Sequence, residues 1–194
     1  MALGNSNENA VFVKLHERVI NNAKKLVFSR REKVEGTDEY KDGEHYTAID
    51  GTLKGVSISQ YEFESQLIDK MTLRIEDETD NTLYLVSGNF NFATRALMNK
   101  LILAASESEI NGAKVDINTK TDAEGFHSIF LKINGTNCKQ MFPNDKQPKR
   151  REFEGKGGKK EYDDKPLNDF FKNAMELYVL PQFETIESSK ESES

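Results

Sequence analysis

The feature that most constrains the fold is a change in the spacing of apolar residues along the middle of the chain. From His45 to Ile58 apolar residues alternate with polar ones, and Gly55 shifts the phase of that alternation. A glycine that changes the phase within a strand indicates a β-bulge, which bends a long strand. Residues 71–77 and 82–88 continue the alternation on either side of a polar turn, so three consecutive strands are predicted.

After the third strand the pattern becomes helical and then returns to alternation. Asn91 is a candidate N-cap, and apolar residues from Phe92 to Ala105 follow with helical spacing. Asn-Gly and Glu-Gly dipeptides then mark turns around two further alternating segments, residues 113–119 and 128–133. The predicted order is therefore strand, strand, strand, helix, strand, strand.

That order predicts a mainly β fold: a β-barrel of the OB-fold type, with one helix between strands 3 and 4 and a second helix at the C-terminus. The OB-fold is a small five-stranded barrel whose outer face and loops bind oligonucleotides or oligosaccharides. A ubiquitin-like or other α+β sheet produces a similar order and remains the alternative.

Along the chain we predict five segments. Residues 1–10 are a disordered N-terminus, and residues 11–142 form the OB-fold domain with an N-terminal extension. Residues 143–166, rich in proline, glycine and charge, form a basic flexible linker. Residues 167–181 form an amphipathic helix, and residues 182–194 form an acidic disordered tail.

Within the N-terminal extension the periodicity is weaker. Val11, Val13 and Leu15 alternate, which favours a strand pair over a short helix. Residues 34–44 contain two glycines and several acidic residues, and they are predicted to form a loop.

The net charge of −6 is distributed in blocks of opposite sign. Residues 1–34 and residues 145–160 each hold 7 basic and 3 acidic residues, whereas residues 35–80 hold 4 basic and 13 acidic ones and residues 161–194 hold 3 and 9. The Debye length is only about 8 Å at cellular salt, so a ligand responds to a local patch. A net acidic chain therefore does not exclude nucleic acid as a partner.

The sequence offers little for catalysis. One cysteine excludes a disulfide framework, and with three histidines it leaves no zinc site of the usual type. The phosphate-loop, dinucleotide and HExxH motifs are absent, so no cofactor, no metal and no enzymatic activity are expected. The acidic turn Glu76–Asp80 leaves a metal-dependent nuclease as the least favoured alternative.

Neither a membrane-spanning apolar run nor a signal-peptide pattern is present in the sequence. We therefore expect no membrane partner and a cytoplasmic location, which is the host cytoplasm if the chain is encoded by a phage.

Single-stranded nucleic acid needs cations along its phosphates and flat side chains on which bases stack. The alternation places Leu83 and Leu85 inward, which turns Tyr84 outward on the same side as Arg74 of the neighbouring strand. It also places Phe130 and Lys132 outward on a later strand.

Further candidates flank these strands, at the end of the first hairpin and in the basic loop. The predicted nucleic-acid-binding residues are Lys54, Tyr61, Phe63, Arg74, Tyr84, Phe130, Lys132, Lys139, Lys149, Arg150, Arg151 and Lys156. None of them forms a reader of base edges at a defined spacing, so weak sequence preference is expected.

Residues 45–142, with the preceding segment LVFSRREKVEGT, resemble the single-stranded-DNA-binding proteins of tailed bacteriophages, in particular those of crAss-like and related Bacteroidetes phages. The resemblance lies in the glycine-punctuated strand DGTLKGVSI, the strand and acidic turn MTLRIEDETD, and the helix NFATRALMNKL. It implies an OB barrel that coats single-stranded DNA in replication, recombination or repair. Many tails in that family end in an aromatic residue, whereas this chain ends Glu191–Ser194.

The sequence therefore predicts a non-enzymatic protein that binds single-stranded DNA. Replication proteins, reached through the acidic tail, and a second copy of the chain are further candidate partners. The alternative is a structural or protein-interaction protein of a virion or its assembly.

Overall fold

A computed structural model describes residues 10–155 and 157–183, which form a nine-stranded mixed sheet, a separate two-stranded hairpin and two α-helices. The strands of the large sheet are β1 (Ala10–Ile20), β2 (Ala23–Lys33), β3 (Tyr40–Tyr46), β4 (Ala48–Phe63), β5 (Gln66–Glu76), β6 (Leu83–Asn89), β7 (Lys114–Thr121), β8 (His127–Ile133) and β9 (Thr136–Asn137). The hairpin consists of β10 (Arg151–Glu154) and β11 (Lys160–Asp163). The helices are α1 (Phe92–Glu107) and α2 (Lys165–Tyr178), with short 3₁₀ helices at Asn144–Lys146 and Leu180–Gln182.

The central meander follows the predicted order. Strand β4 pairs with β5 along its second half and with β7 along its first half, and β5 pairs with β6. The register of β4 against β5 shifts between Leu53 and Gly55, which confirms the predicted bulge. Because β4 bends at this bulge, one long strand can pair with β7 before the bend and with β5 after it.

The sheet is not closed into a barrel, which differs from the predicted architecture. Its strand order is β3-β2-β1-β6-β5-β4-β7-β8-β9. The N-terminal hairpin β1–β2 pairs in parallel with β6 and so occupies the edge that a closing strand would need. Strands near the two ends still contact each other outside the ladder: the backbone amide of Leu26 in β2 donates to Thr121 Oγ1 of β7 at 3.1 Å, and His127 of β8 lies 3.5 Å from Glu17 of β1.

One hydrophobic core lies between the sheet and the helices. Helix α1 begins after Asn91, whose side chain accepts from the Thr94 amide at 3.0 Å, as the N-cap prediction required. The core side of the sheet includes Leu53, Leu73 and Ile75, each at most 1% exposed. Helix α2 adds apolar side chains to the same core, among them Phe171 and Met175.

Three segments differ from the sequence-based boundaries. The predicted loop 34–44 contains the first residues of β3, and the predicted linker 143–166 contains a 3₁₀ helix, the β10–β11 hairpin and the first residues of α2. The C-terminal helix begins at Lys165 and ends at Tyr178. Apart from Ala10 in β1 and residues 182 and 183, the two predicted disordered ends lie outside the described residues.

Among the described residues, none of the helices combines the length and the apolar character that crossing a membrane requires.

Candidate nucleic-acid interface

The register of four neighbouring strands defines a solvent-facing surface on the side of the sheet away from the core. Residues directly opposite each other in neighbouring strands project from the same face of the sheet. We call this surface, formed by the first half of β1, the second half of β4, β5 and β6, the cationic face. Its outward residues include Phe12, Lys14, Ser57, Ser59, Tyr61, Phe63, Lys70, Thr72, Arg74, Leu85, Ser87 and Asn89. Glu76 projects from the same side at the end of β5, where it pairs with Lys54.

Small hydroxyl side chains occupy the middle of the cationic face. One row runs across the four strands as Ser57, Thr72, Ser87 and Lys14, each paired with the next. Hydroxyl groups donate and accept hydrogen bonds, and their short side chains leave the backbone surface open to an extended ligand.

Three cations project from this surface: Lys14, Lys70 and Arg74. Among the described residues none of the three forms a salt bridge, and the rows that contain them hold no carboxylate. Arg74 lies across Gly55, where a Cβ atom would stand only 2.9 Å from the Arg74 Cδ. The glycine that bends β4 therefore also makes room for the arginine side chain.

Aromatic residues lie at opposite corners of the cationic face. At one corner, Tyr61 accepts a hydrogen bond from Asn89 at 2.9 Å, and Lys70 Nζ lies 5.9 Å from the centre of its ring. At the other corner, the rings of Phe12 and Tyr40 meet edge to face, with centroids 6.1 Å apart. All of these rings and that of Phe63 are more than one third exposed. Strand and residue spacings place the two corners about 25 Å apart, the span of several nucleotides.

Next to the second corner, an ionic cluster joins β1, β2 and β3. Arg31 donates to Asp42, and His16 lies 3.7 Å from Asp42 and 2.9 Å from the Ser29 hydroxyl. Burial lowers the pKa of His16 despite the opposing effect of Asp42. The hydrogen bond from Arg31 helps to lower the pKa of Asp42 against the effect of burial. The cluster thus fixes the edge of the cationic face at neutral pH.

A second outward surface, formed by the first half of β4 with β7, β8 and the β5–β6 turn, has a different charge arrangement. We call it the ion-paired face. Four lysines project from it. Lys54, Lys114 and Lys132 each have a carboxylate partner: Glu76 at 3.4 Å, Glu78 at 2.8 Å and Asp116 at 3.7 Å, respectively. Lys120 of β7 lies opposite Ser128 and forms no salt bridge among the described residues. The hydrogen bond from Lys114, followed by that from Thr52, lowers the pKa of Glu78.

The acidic turn proposed as an alternative metal site belongs to this second surface. Asp77 and Asp80 accept hydrogen bonds from backbone amides of their own turn, at 2.7 and 2.9 Å. Within residues 10–155 and 157–183, no group of three or more His, Cys, Asp or Glu side chains is arranged to hold a metal ion.

The predicted pairing of Arg74 with Tyr84 is wrong. In the register of β5 and β6, Ile75 opposes Tyr84 and Arg74 opposes Leu85, so Tyr84 faces the core side and Arg74 faces solvent. The prediction assumed that Leu83 and Leu85 point inward, but Val86 and Gly88 are the buried residues of β6. Tyr84 instead borders a cavity of about 230 Å³ at the beginning of β1, β4 and β6.

The outward direction of Phe130 and Lys132 is confirmed, since Ile129, Leu131 and Ile133 are all buried. They lie on the ion-paired face, as does Lys54. Arg74, Tyr61 and Phe63 share the cationic face.

The remaining candidates lie elsewhere. Lys139 is next to α1, and Lys149, Arg150 and Arg151 lie at the base of the β10–β11 hairpin, where Arg150 stacks over Tyr162 at 5.0 Å and pairs with Asp164. Lys156 is outside the described residues.

Sequence reasoning missed four residues of this region: Phe12, Lys14, Tyr40 and Lys70. Lys70 has the same parity as Arg74 in the alternation of β5, so the sequence contained a signal for it. The other three reach this region only because β1 pairs in parallel with β6 and β3 follows β2. No local pattern contains that information.

Comparison of the chain with protein-family models, with curated proteins and with solved structures found no match.

Proposed function

We propose that this protein binds single-stranded DNA along the cationic face. One observation carries the proposal: Lys14, Lys70 and Arg74 stand without ion-pair partners among the described residues, between two exposed aromatic corners, on a surface whose middle row holds small hydroxyl groups. Cations follow a phosphate backbone, and aromatic rings stack with any base. The combination suits an extended, flexible strand better than a rigid duplex.

The finer fold assignment is part of the same proposal. The order β4-β5-β6-α1-β7-β8, in which β4 pairs with both β5 and β7, supports an OB-type relationship around a sheet that the N-terminal hairpin keeps open. The resemblance to phage single-stranded-DNA-binding proteins supports DNA over an oligosaccharide, and a role in replication, recombination or repair in the host cytoplasm.

The test is fluorescence anisotropy with a labelled oligothymidine at several salt concentrations. We expect the logarithm of the association constant to fall linearly as the logarithm of the salt concentration rises. The proposal is wrong if no binding is detected at low salt, or if the association constant does not change with the salt concentration.

Matched triple variants locate the site. Changing Lys14, Lys70 and Arg74 together to Ala is expected to weaken binding about 100-fold at 0.1 M salt and to reduce the salt slope by about 2, since each phosphate contact contributes about 0.7. The control changes Lys54, Lys114 and Lys132 to Ala, which alters the net charge equally. Equal losses in both triples mean that overall charge is responsible and that the cationic face is not the site.

A second candidate function, protein recognition, is favoured by the edge strand β3. Among the described residues β3 pairs with β2 alone, and its end residues Tyr40 and Tyr46 are exposed. An unpaired edge accepts a strand from another chain, whether a second copy or a virion or assembly partner. Light scattering after size exclusion, with and without oligonucleotide, separates the two functions. Tyr40→Pro removes an N–H that points away from β2, and a dimer that forms without DNA and dissociates on this substitution favours strand pairing.

A further inference from the structure

The cavity bordered by Tyr84 differs in chemistry from the cationic face. Its floor contains Phe28 and Val13, at 0% and 3% exposure, and its sides are formed by Tyr46 and Tyr84. A volume of about 230 Å³ is below the roughly 300–1,000 Å³ of pockets for drug-sized ligands, so the cavity suits a single ring system.

The polar groups at the cavity are mostly acceptors. Asp50 and Asp77 line it, and ionised carboxylates only accept hydrogen bonds. Arg30 supplies donors at the exposed rim and has no salt bridge among the described residues. A ligand in this cavity should therefore be flat and should present hydrogen-bond donors to the two carboxylates. It should also carry a negative charge that stays outside the cavity, next to Arg30.

A nucleobase attached to its phosphate meets these requirements. Cytosine, adenine and guanine carry an exocyclic amino group with two N–H donors. Thymine offers one donor, its N3–H, which lies between two carbonyl oxygens that carboxylates repel. A base that enters the cavity leaves its phosphate outside, where Arg30 is exposed.

The cavity lies on the core side of the sheet, and the cationic face lies on the other side. The two are nearest at the start of β1, where Val11 borders the cavity and its neighbour Phe12 belongs to the cationic face. A strand bound on the cationic face reaches the cavity by passing around the end of the sheet at which β1 and β6 begin.

We propose that this cavity holds one base of the bound strand and selects bases that carry an exocyclic amino group over thymine. This inference rests on the proposed function and adds a base preference to it, with Asp50 and Asp77 as the selecting groups.

The experiment uses the full chain and unlabelled 12-mers of deoxycytidine and of thymidine, which compete with a labelled oligonucleotide. We expect deoxycytidine to bind about tenfold more tightly, the lower part of the range for a good base contact. Asp50→Asn should reduce the affinity ratio at least threefold, because an amide presents a donor as well as an acceptor. Asp50 is exposed, and a thermal melt of each variant verifies folding.

The control is Glu124→Gln, which changes the charge equally in the exposed β7–β8 turn, outside the cavity lining. It should leave the ratio unchanged. Equal affinity for the two oligonucleotides in the unaltered chain, or a ratio that survives Asp50→Asn, overturns the cavity proposal alone. Failure of both oligonucleotides to bind overturns the proposed function as well.

Discussion

The cationic face carries three basic side chains and the ion-paired face carries four, three of them paired with carboxylates, so the two faces present different charge to a ligand. On the cationic face, Arg74 lies opposite Gly55 and Leu85, neither of which is charged. On the ion-paired face, Lys132 lies opposite Asp116 and contacts it. Lys54 and Lys114 contact Glu76 and Glu78, although neither carboxylate is their register partner. A nearby carboxylate therefore determines whether the charge of a basic side chain is available, and the number of basic residues does not.

The aromatic residues give the first test of the difference between the two faces. Both faces expose phenylalanine rings, but the rings of the cationic face lie among three unpaired cations. Phe130 lies between ion-paired Lys132 on its own strand and unpaired Lys120 on β7. Changing Tyr61 and Phe63 together to Ala is expected to weaken oligonucleotide binding about 10- to 100-fold, since one stacked base contributes about 1–3 kcal/mol. Anisotropy titrations measure the change.

Phe130→Ala on the ion-paired face is the matched control, because Phe130 is 47% exposed and Phe63 is 56% exposed. Its effect should stay within about twofold, as no base stacks there. A loss at Phe130 as large as that at the Tyr61 and Phe63 pair would falsify the assignment of stacking to the cationic face.

Much of the fold behind this comparison follows from local sequence. Gly55 interrupts the alternation where β4 bends, and Asn91 precedes helical spacing where α1 begins. The β10–β11 hairpin does not follow, because its strands are short, charged and almost fully exposed and show no apolar alternation.

The candidate site is less predictable because faces depend on long-range pairing. In β6, residues 83–86 are all apolar or aromatic, so alternation alone leaves the inward phase undecided, and only the opposition of Ile75 to Tyr84 fixes it. Lys14 joins the site through a parallel pairing of strands about 70 residues apart in sequence. Composition marks neither of these relationships.

Gly55 gives a second test, of smaller size, because it connects the bulge to the arginine above it. A methyl group at this position would meet Arg74 Cδ at 2.9 Å, so Gly55→Ala should displace the Arg74 side chain. We expect about a fivefold loss of oligonucleotide affinity at 0.1 M salt, equivalent to one phosphate contact.

A double-mutant cycle provides the control for this displacement. In the Arg74→Ala background, Gly55→Ala should cause no further loss of affinity. An additive loss instead indicates that the alanine disturbs the sheet itself, and a parallel thermal denaturation would record that change.

The smallest expected change in oligonucleotide affinity comes from freeing a lysine on the ion-paired face, so that this face resembles the cationic face. Asp116→Asn keeps the shape of the side chain but removes the charge that neutralises Lys132, beside exposed Phe130. If the ion pairs alone keep this face from binding DNA, the variant should bind the oligonucleotide about two- to threefold more tightly. That gain is smaller than the contribution of one full phosphate contact. Glu124→Gln, in the exposed β7–β8 turn, changes the net charge equally without releasing a lysine. Equal gains in the two variants would show that the release of Lys132 is not the cause, and the difference between the faces would then depend on their shape.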